Sequence, residues 1–415
     1  MTISTPGVFF GAGTGVRPQP SAPVRPVVAP PAAVPAPKLP GENEPVQVLD
    51  PARVSEHRAS DITLDRLLTW MIETGASDLH LAAGQPPRVR THGHLEPIPN
   101  IGPIPEPHLR SMLYALMNER HRATFEAHKD IDLAYALGQR ARFRVNVFSQ
   151  RGRIGSVLRA IPTRIMTAEE MNLPKVLTDL ASLPRGLVLV TGPTGSGKST
   201  LLAAIVDLAN RTRKSHIVTI EDPIEFTHET KMSTVTQRQV GEDTDSFATG
   251  LRAVLREDPD IILVGEMRDL ETTRAAIEAA ETGHLVFATL HTKSAPESVS
   301  RIVNQFPDET QNQIQATLSS CLEAIVTQTL VRTADGAGRV PAREVMVFSY
   351  DVRNLIRQGK LEQLPSVLQS GADRGMHTLD ADLARLFNEG TISWETACEA
   401  ASSLDELKRR TNRRV

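Results

Sequence analysis

The stretch Leu187-Val188-Leu189-Val190-Thr191-Gly192-Pro193-Thr194-Gly195-Ser196-Gly197-Lys198-Ser199-Thr200 decides the fold. An apolar run of strand length enters it, and residues from Lys198 to about Asn210 read as a helix leaving it. Between them, Gly192, Gly197, Lys198 and Ser199 occupy the fixed positions of G-x-x-x-x-G-K-[ST]. Glycines let the backbone wrap so that its N–H groups point at phosphates, and the helix adds its positive end. In that pattern Lys198 reaches the β and γ phosphates and Ser199 ligates Mg²⁺. The expected nucleotide-binding set is therefore Gly192, Pro193, Thr194, Gly195, Ser196, Gly197, Lys198, Ser199 and Thr200. No Asn-Lys-x-Asp guanine-reading sequence is present, which favours ATP over GTP.

Downstream, strands and helices alternate. Ile217–Glu221, Ile261–Val264 and Leu285–Leu290 read as strands, and residues 246–257 and 270–282 as helices. That alternation predicts an α/β, parallel, doubly wound sheet over residues 186–349. Such a sheet opens its ligand crevice beyond the carboxyl ends of its strands. Two acidic groups fall there: Glu221-Asp222-Pro223-Ile224-Glu225, and Gly265-Glu266. P-loop enzymes need such acids to hold metal and orient the attacking water. Glu221 and Asp222, with Ser199, are the candidate metal residues. His284 and His291 bracket the strand Leu285–Leu290; read alone, they are strand-end histidines with structural bonds.

Upstream, residues 58–162 form a smaller α+β unit. A helix precedes Gly75, short alternating strands follow, a helix covers about 106–120, and Arg142-Phe143-Arg144-Val145-Asn146 alternates as a strand. Arg142 and Arg144 share one strand face. Residues 163–185 read as a linker, and residues 350–415 as helical, ending in a basic string from Lys408 to Arg414. Ten of the 29 prolines lie in the first 40 residues, so residues 1–57 read as a disordered extension.

Composition narrows the function. A net charge of −3 and 4% aromatic residues argue against basic channels and stacking platforms, so no specific nucleic acid is expected. Two distant cysteines, Cys321 and Cys398, cannot build a four-cysteine zinc module. No run approaches the roughly 20 apolar residues of a membrane-spanning helix.

Several motifs, in order, resemble the type II and type IV pilus secretion ATPases, and among them the pilus retraction ATPases of the PilT family. They are Ala76-Ser77-Asp78-Leu79-His80-Leu81, the arginine-bearing strands at 142–146 and 159–162, the acidic box Thr219–Phe226, the Walker B segment Leu255–Asp269, and Thr282–Thr292. Asp351-Val352-Arg353-Asn354-Leu355-Ile356-Arg357 is similar to the retraction helix AIRNLIR, departing from it at its first two residues. The resemblance implies a PAS-like N-terminal domain joined to a RecA-like core in a homo-hexamer. It implies that Glu225 and Glu266 are catalytic acids, that His284 and His291 sense nucleotide, and that Arg142, Arg144 and Arg159 approach phosphates, with Arg88 and Arg90 weaker candidates. It further implies a cytoplasmic motor at the inner face of the cytoplasmic membrane, driving pilus retraction against an inner-membrane platform protein, alongside an accessory retraction ATPase. The alternatives are a PilU-type accessory ATPase and a RecA-like nucleic-acid translocase. In the 351–357 helix, Arg353 and Arg357 stand one turn apart, away from the apolar stripe, as solvated side chains or as a coupling face.

Overall fold

The computed structural model describes residues 62–91, 94–138, 140–161 and 164–411. The proline-rich stretch expected to be disordered and the end of the basic string lie outside them. Thr63 opens the helix Leu64–Glu73, its hydroxyl accepting from the Arg66 N–H. Leu64, Leu67, Leu68 and Met71 form that helix's buried stripe. It shares one core, to which every strand but β3 contributes buried residues, with strands β1 (Asp78–Ala82), β2 (Arg88–Thr91), β3 (His94–Pro97), β4 (Asp130–Leu137), β5 (Ala141–Gln150) and β6 (Arg153–Ile161). These make one antiparallel sheet in the order β3-β2-β1-β6-β5-β4. In β5 the period of two sends Phe143, Val145 and Val147 into the core and leaves Arg142, Arg144 and Asn146 on the other face. The single helix expected over 106–120 is instead two, Glu106–Tyr114 and Glu119–His128. Asn118 starts the second by accepting the His121 N–H at 2.8 Å.

The second sheet holds β7 (Gly186–Thr191), β8 (His216–Glu221), β9 (Thr234–Gln239), β10 (Ile261–Val264), β11 (Leu285–Leu290), β12 (Leu322–Arg332) and β13 (Arg339–Val347). Their order is β13-β12-β7-β11-β10-β8-β9. All neighbours are parallel except β12 and β13, which pair antiparallel. The wholly parallel sheet expected from the sequence is thus corrected at one edge. Residues 333–338 are too few for the crossover that a parallel return needs, so they close a hairpin. β7 is buried at every residue because helices cover both faces of the sheet. Alternate side chains divide between two cores. Leu187, Leu189, Val218, Ile220 and Ile262 lie in one, and Val188, Val190, Ile217, Ile261 and Phe287 in the other.

After β13 the chain is helical: Tyr350–Arg357, Leu364–Ser370, Leu379–Asn388, Trp394–Ala400 and Leu404–Arg410. Leu379, Leu383, Ala397 and Leu407 pack with Val331 and Ala342, so the last three of these helices close on the β12–β13 hairpin, while Val352, Ile356, Leu364 and Leu368 of the first two join the main core. The segment that leads into Leu379 covers part of the edge of β13, where Val345 and His377 exchange backbone hydrogen bonds at 3.0 and 3.1 Å. Arg353 is not the solvated residue that its helix position suggested. Its guanidinium donates to the carbonyls of Phe348, Ser319 and Ser320 and pairs with Glu323 at 2.8 Å, fastening the end of the helix Asp308–Cys321. Arg357 is exposed, with one 3.4 Å contact to the Ser319 hydroxyl.

Candidate active site

Because β7, β8, β10 and β11 run parallel and in register, Thr191, Glu221, Val264 and Leu290 bring their following loops to one end of the sheet. A cleft of about 490 Å³ opens there, and the glycine loop forms one wall. Gly192, Gly195 and Gly197 have φ of +136°, +77° and +84°, values that a side chain would strain. An added Cβ at Gly192 would collide with the carbonyl of Gln328, whereas Gly195 faces open space. The loop delivers the helix Lys198–Thr212 with its N-terminus at the cleft. Lys198 Nζ donates to the carbonyls of Gly192 and Pro193 at 3.0 and 3.1 Å. Burial lowers its pKa, opposed by the charges of Glu266 and Glu225.

Glu266, one residue beyond Gly265, is held in the cleft by two side chains. Arg268 meets it at 2.8 Å and His291 Nε2 at 3.0 Å. Burial pushes its carboxyl pKa up, but the Arg268 hydrogen bond and the charges of Arg268, His291 and Lys198 bring it below the usual range. Glu266 is therefore ionised at neutral pH. Glu225 and Asp222 also line the cleft and are exposed. Glu221 differs: its Oε1 accepts from Thr219 at 2.6 Å and Gln237 at 3.1 Å, and burial raises its pKa. Ser199 and Thr200 line the cleft from the first turn of the helix.

Of the arginines expected near phosphates, Arg144 reaches this cleft, at 3.7 Å from Asp132. Arg142 donates to Thr227 Oγ1 at 3.1 Å, just past the acidic box. Arg159 is turned to the buried Asp78 at 2.7 Å, and Arg90 lies 4.0 Å from the same carboxylate. Arg88 is exposed on β2. The two histidines part company. His291 follows the carboxyl end of β11, in the cleft. His284 precedes its amino end, about 20 Å away for a six-residue strand, and its Nδ1 lies 2.9 Å from the Ala279 carbonyl oxygen. In this chain His284 is a strand-end histidine and does not enter the cleft.

Several lining residues carry no motif in the sequence. Arg268 was legible, two residues beyond Glu266. His228, Phe247, Leu330 and Arg339 had no motif to mark them, since they converge only through the fold. Among the described residues no cluster of three or more His, Cys, Asp or Glu could hold a metal ion, so a cation here depends on few side chains. Chemically the arrangement offers a cationic loop for phosphates, an ionised carboxylate facing it, and an arginine from the other sheet.

A glycine loop on a central parallel strand, with acids at the ends of neighbouring strands, defines a P-loop ATPase with a RecA-like core. The chain belongs to the type II/IV secretion system protein family, whose model matches residues 55–353. It is 49% identical to the type IV pilus retraction ATPase PilT of Pseudomonas aeruginosa, over 82% of this chain and 98% of that one. It is 41% identical to the type IV pilus ATPase PilU of the same organism, over 83% and 91%. A crystal structure of the pilus retraction motor PilT with bound ADP superposes with a TM-score of 0.79 at 44% identity, covering 84% of this chain and 99% of that one. The chain is an ATPase of that family, and no described helix is long and apolar enough to cross a membrane.

Proposed function

We propose that this protein is a hexameric motor that converts ATP hydrolysis into type IV pilus retraction. It works at the inner face of the cytoplasmic membrane, against an inner-membrane platform protein and beside an accessory retraction ATPase. The observation that carries the reading is one cleft that combines Lys198, Glu266 and Arg144 in a chain aligned over nearly the whole of a retraction ATPase. The greater identity to PilT than to PilU favours the retraction motor over the accessory role.

The donor set fits nucleotide and Mg²⁺. The Ser196 hydroxyl is buried without a partner in the loop, Lys198 is cationic, and Ser199 begins the helix. Ser199 with Asp222 and Glu221 would hold the cation, which neutralises phosphate charge when bound. Glu221 would offer its Oε2, since Oε1 already accepts from Thr219 and Gln237. Lys198 binds the β and γ phosphates. Glu266 orients the attacking water, and His291 reports on it through the 3.0 Å contact. Glu225 lies across the cleft as a second acid. Arg144 balances charge developing on the transferred phosphoryl group, and Arg142, which shares its strand face and donates to Thr227, is its companion in that role. The domain division at 58–162, 163–185, 186–349 and 350–415 belongs to the same proposal, with the helical end transmitting motion.

The test is pilus retraction in cells whose sole copy carries Lys198→Ala. Loss of retraction with pili still assembled is expected, and normal retraction refutes the motor reading.

A further inference from the structure

Under the glycine loop lies Gln328 of β12, 2% exposed. It touches the loop three times. Its backbone carbonyl fills the space where a Gly192 side chain would be. Its Nε2 donates to the Ser196 carbonyl at 2.7 Å, and the same nitrogen lies 2.9 Å from where a Cβ on Gly197 would stand. A glutamine amide has one accepting and one donating end, so something must decide which end faces the loop. Arg343 decides it. A guanidinium can only donate, and its Nε donates to Gln328 Oε1 at 2.8 Å, which leaves Nε2 for Ser196.

Arg343 is in turn fixed from the C-terminal helices. Its backbone N–H, on the edge strand β13, donates to Asp382 Oδ2 at 2.8 Å. Asp382 stands on the helix Leu379–Asn388, and Arg385 Nε holds its other oxygen at 2.8 Å. A hydrogen-bonded line therefore runs from that helix through β13 and β12 to one carbonyl of the phosphate loop. The carbonyl's direction matters. A carbonyl turned into the cleft would meet phosphate oxygens as a like partial charge, whereas one turned away leaves the loop's N–H groups facing them.

We infer that Gln328, backed by Arg343 and Asp382, is a positioning residue for ATP: it holds the Ser196 carbonyl away from the phosphates so that the glycine loop is preset to bind them. The inference rests on the reading of this loop as the phosphate site.

It is tested in the full-length protein by measuring equilibrium binding of a fluorescent ATP analogue, KM and kcat, and the unfolding midpoint without nucleotide. Gln328→Glu keeps length and the acceptor for Arg343, but sets a carboxylate oxygen against the Ser196 carbonyl. Its dissociation constant and KM should rise about tenfold or more, with kcat falling less and the midpoint close to wild type. Arg343→Met should raise both in the same direction, and Arg343→Lys, which keeps a donor, should restore most of the loss. Asp382→Ala should add little to Gln328→Glu, because both act on one line. Unchanged nucleotide affinity in Gln328→Glu overturns the inference. Loss confined to Gln328→Glu, with Arg343→Met and Asp382→Ala normal, overturns the part played by the helix. Lys198→Ala separates the two layers. If it binds and hydrolyses ATP normally, the phosphate-site reading fails. If it is crippled while Gln328→Glu is normal, only the positioning role fails.

Discussion

Arg353→Ala should destabilise the protein, although its helix reads in the sequence as a surface element. The guanidinium makes four contacts: to the Phe348, Ser319 and Ser320 carbonyls at 2.9, 3.0 and 3.1 Å, and to Glu323 at 2.8 Å. Three are part-buried, and the side chains of Arg353 and Glu323 are 22% and 28% exposed. Each such bond contributes about 1 kcal/mol net, the exposed one least, and truncation leaves a carboxylate and three carbonyls without their donor, so the loss is about 2–3 kcal/mol. At roughly 2 °C per kcal/mol for a chain of this size, the melting temperature should fall by about 5 °C. Arg357→Ala is the control. It gives up one 3.4 Å contact from an exposed position and should stay within about 0.5 kcal/mol of wild type. Arg353→Lys should fall between, since a point charge cannot serve this fan of acceptors. Urea and thermal unfolding of the three variants decide the matter. A melting temperature for Arg353→Ala within about 1 °C of wild type would refute the fastening role. A retraction defect in Arg357→Ala at normal stability would then isolate the coupling face.

Glu266→Gln should still bind ATP and stop turning it over, as read by filter binding and phosphate release; wild-type hydrolysis would remove its role. Arg144→Ala should cost about 10³-fold in turnover, as for other arginine fingers. Arg159→Ala should instead lower the unfolding midpoint, because it strips the 2.7 Å partner from buried Asp78, and a pure rate effect there would contradict the assignment. His228 gives a pH signature. Burial pulls its pKa from 6.5 to about 4, so between those values the unfolded chain binds the extra proton. Stability is full above pH 6.5 and falls as pH drops towards 4, by about 2 kcal/mol at pH 5. His228→Gln should flatten that slope in urea midpoints measured at pH 7.5 and 5, and an unaltered slope rules the group out.

The glycine loop, the acids and the strands around them were legible because each is dictated locally. A phosphate loop needs glycines at fixed spacing, and buried parallel strands need unbroken apolar runs such as Ile261–Val264. The segment 295–347 was not legible. The helix Asp308–Cys321 buries only Leu318, Ser319 and Cys321, so its periodicity is faint. β12 and β13 carry Thr327, Gln328, Arg343 and Glu344 in buried positions, where a strand pattern expects apolar side chains. Those polar side chains are interior because they find partners there: Thr327 with Thr191, Gln328 with the Ser196 carbonyl, Arg343 with Gln328, and Glu344 with the Ala295 N–H. The motif treats His284 and His291 alike, and only the strand's direction separates them.

The position of β7 between β11 and β12 also bears on synthesis. The antiparallel sheet is built from residues 78–161 and can close as soon as they emerge from the ribosome. The phosphate loop cannot. Its strand is left unpaired on one side until β12 is made, and the amide that meets Ser196 arrives 132 residues after it. Pairing over such separations is slow. A nascent chain thus carries every residue of the nucleotide motif before the strand that flanks the loop on one side exists.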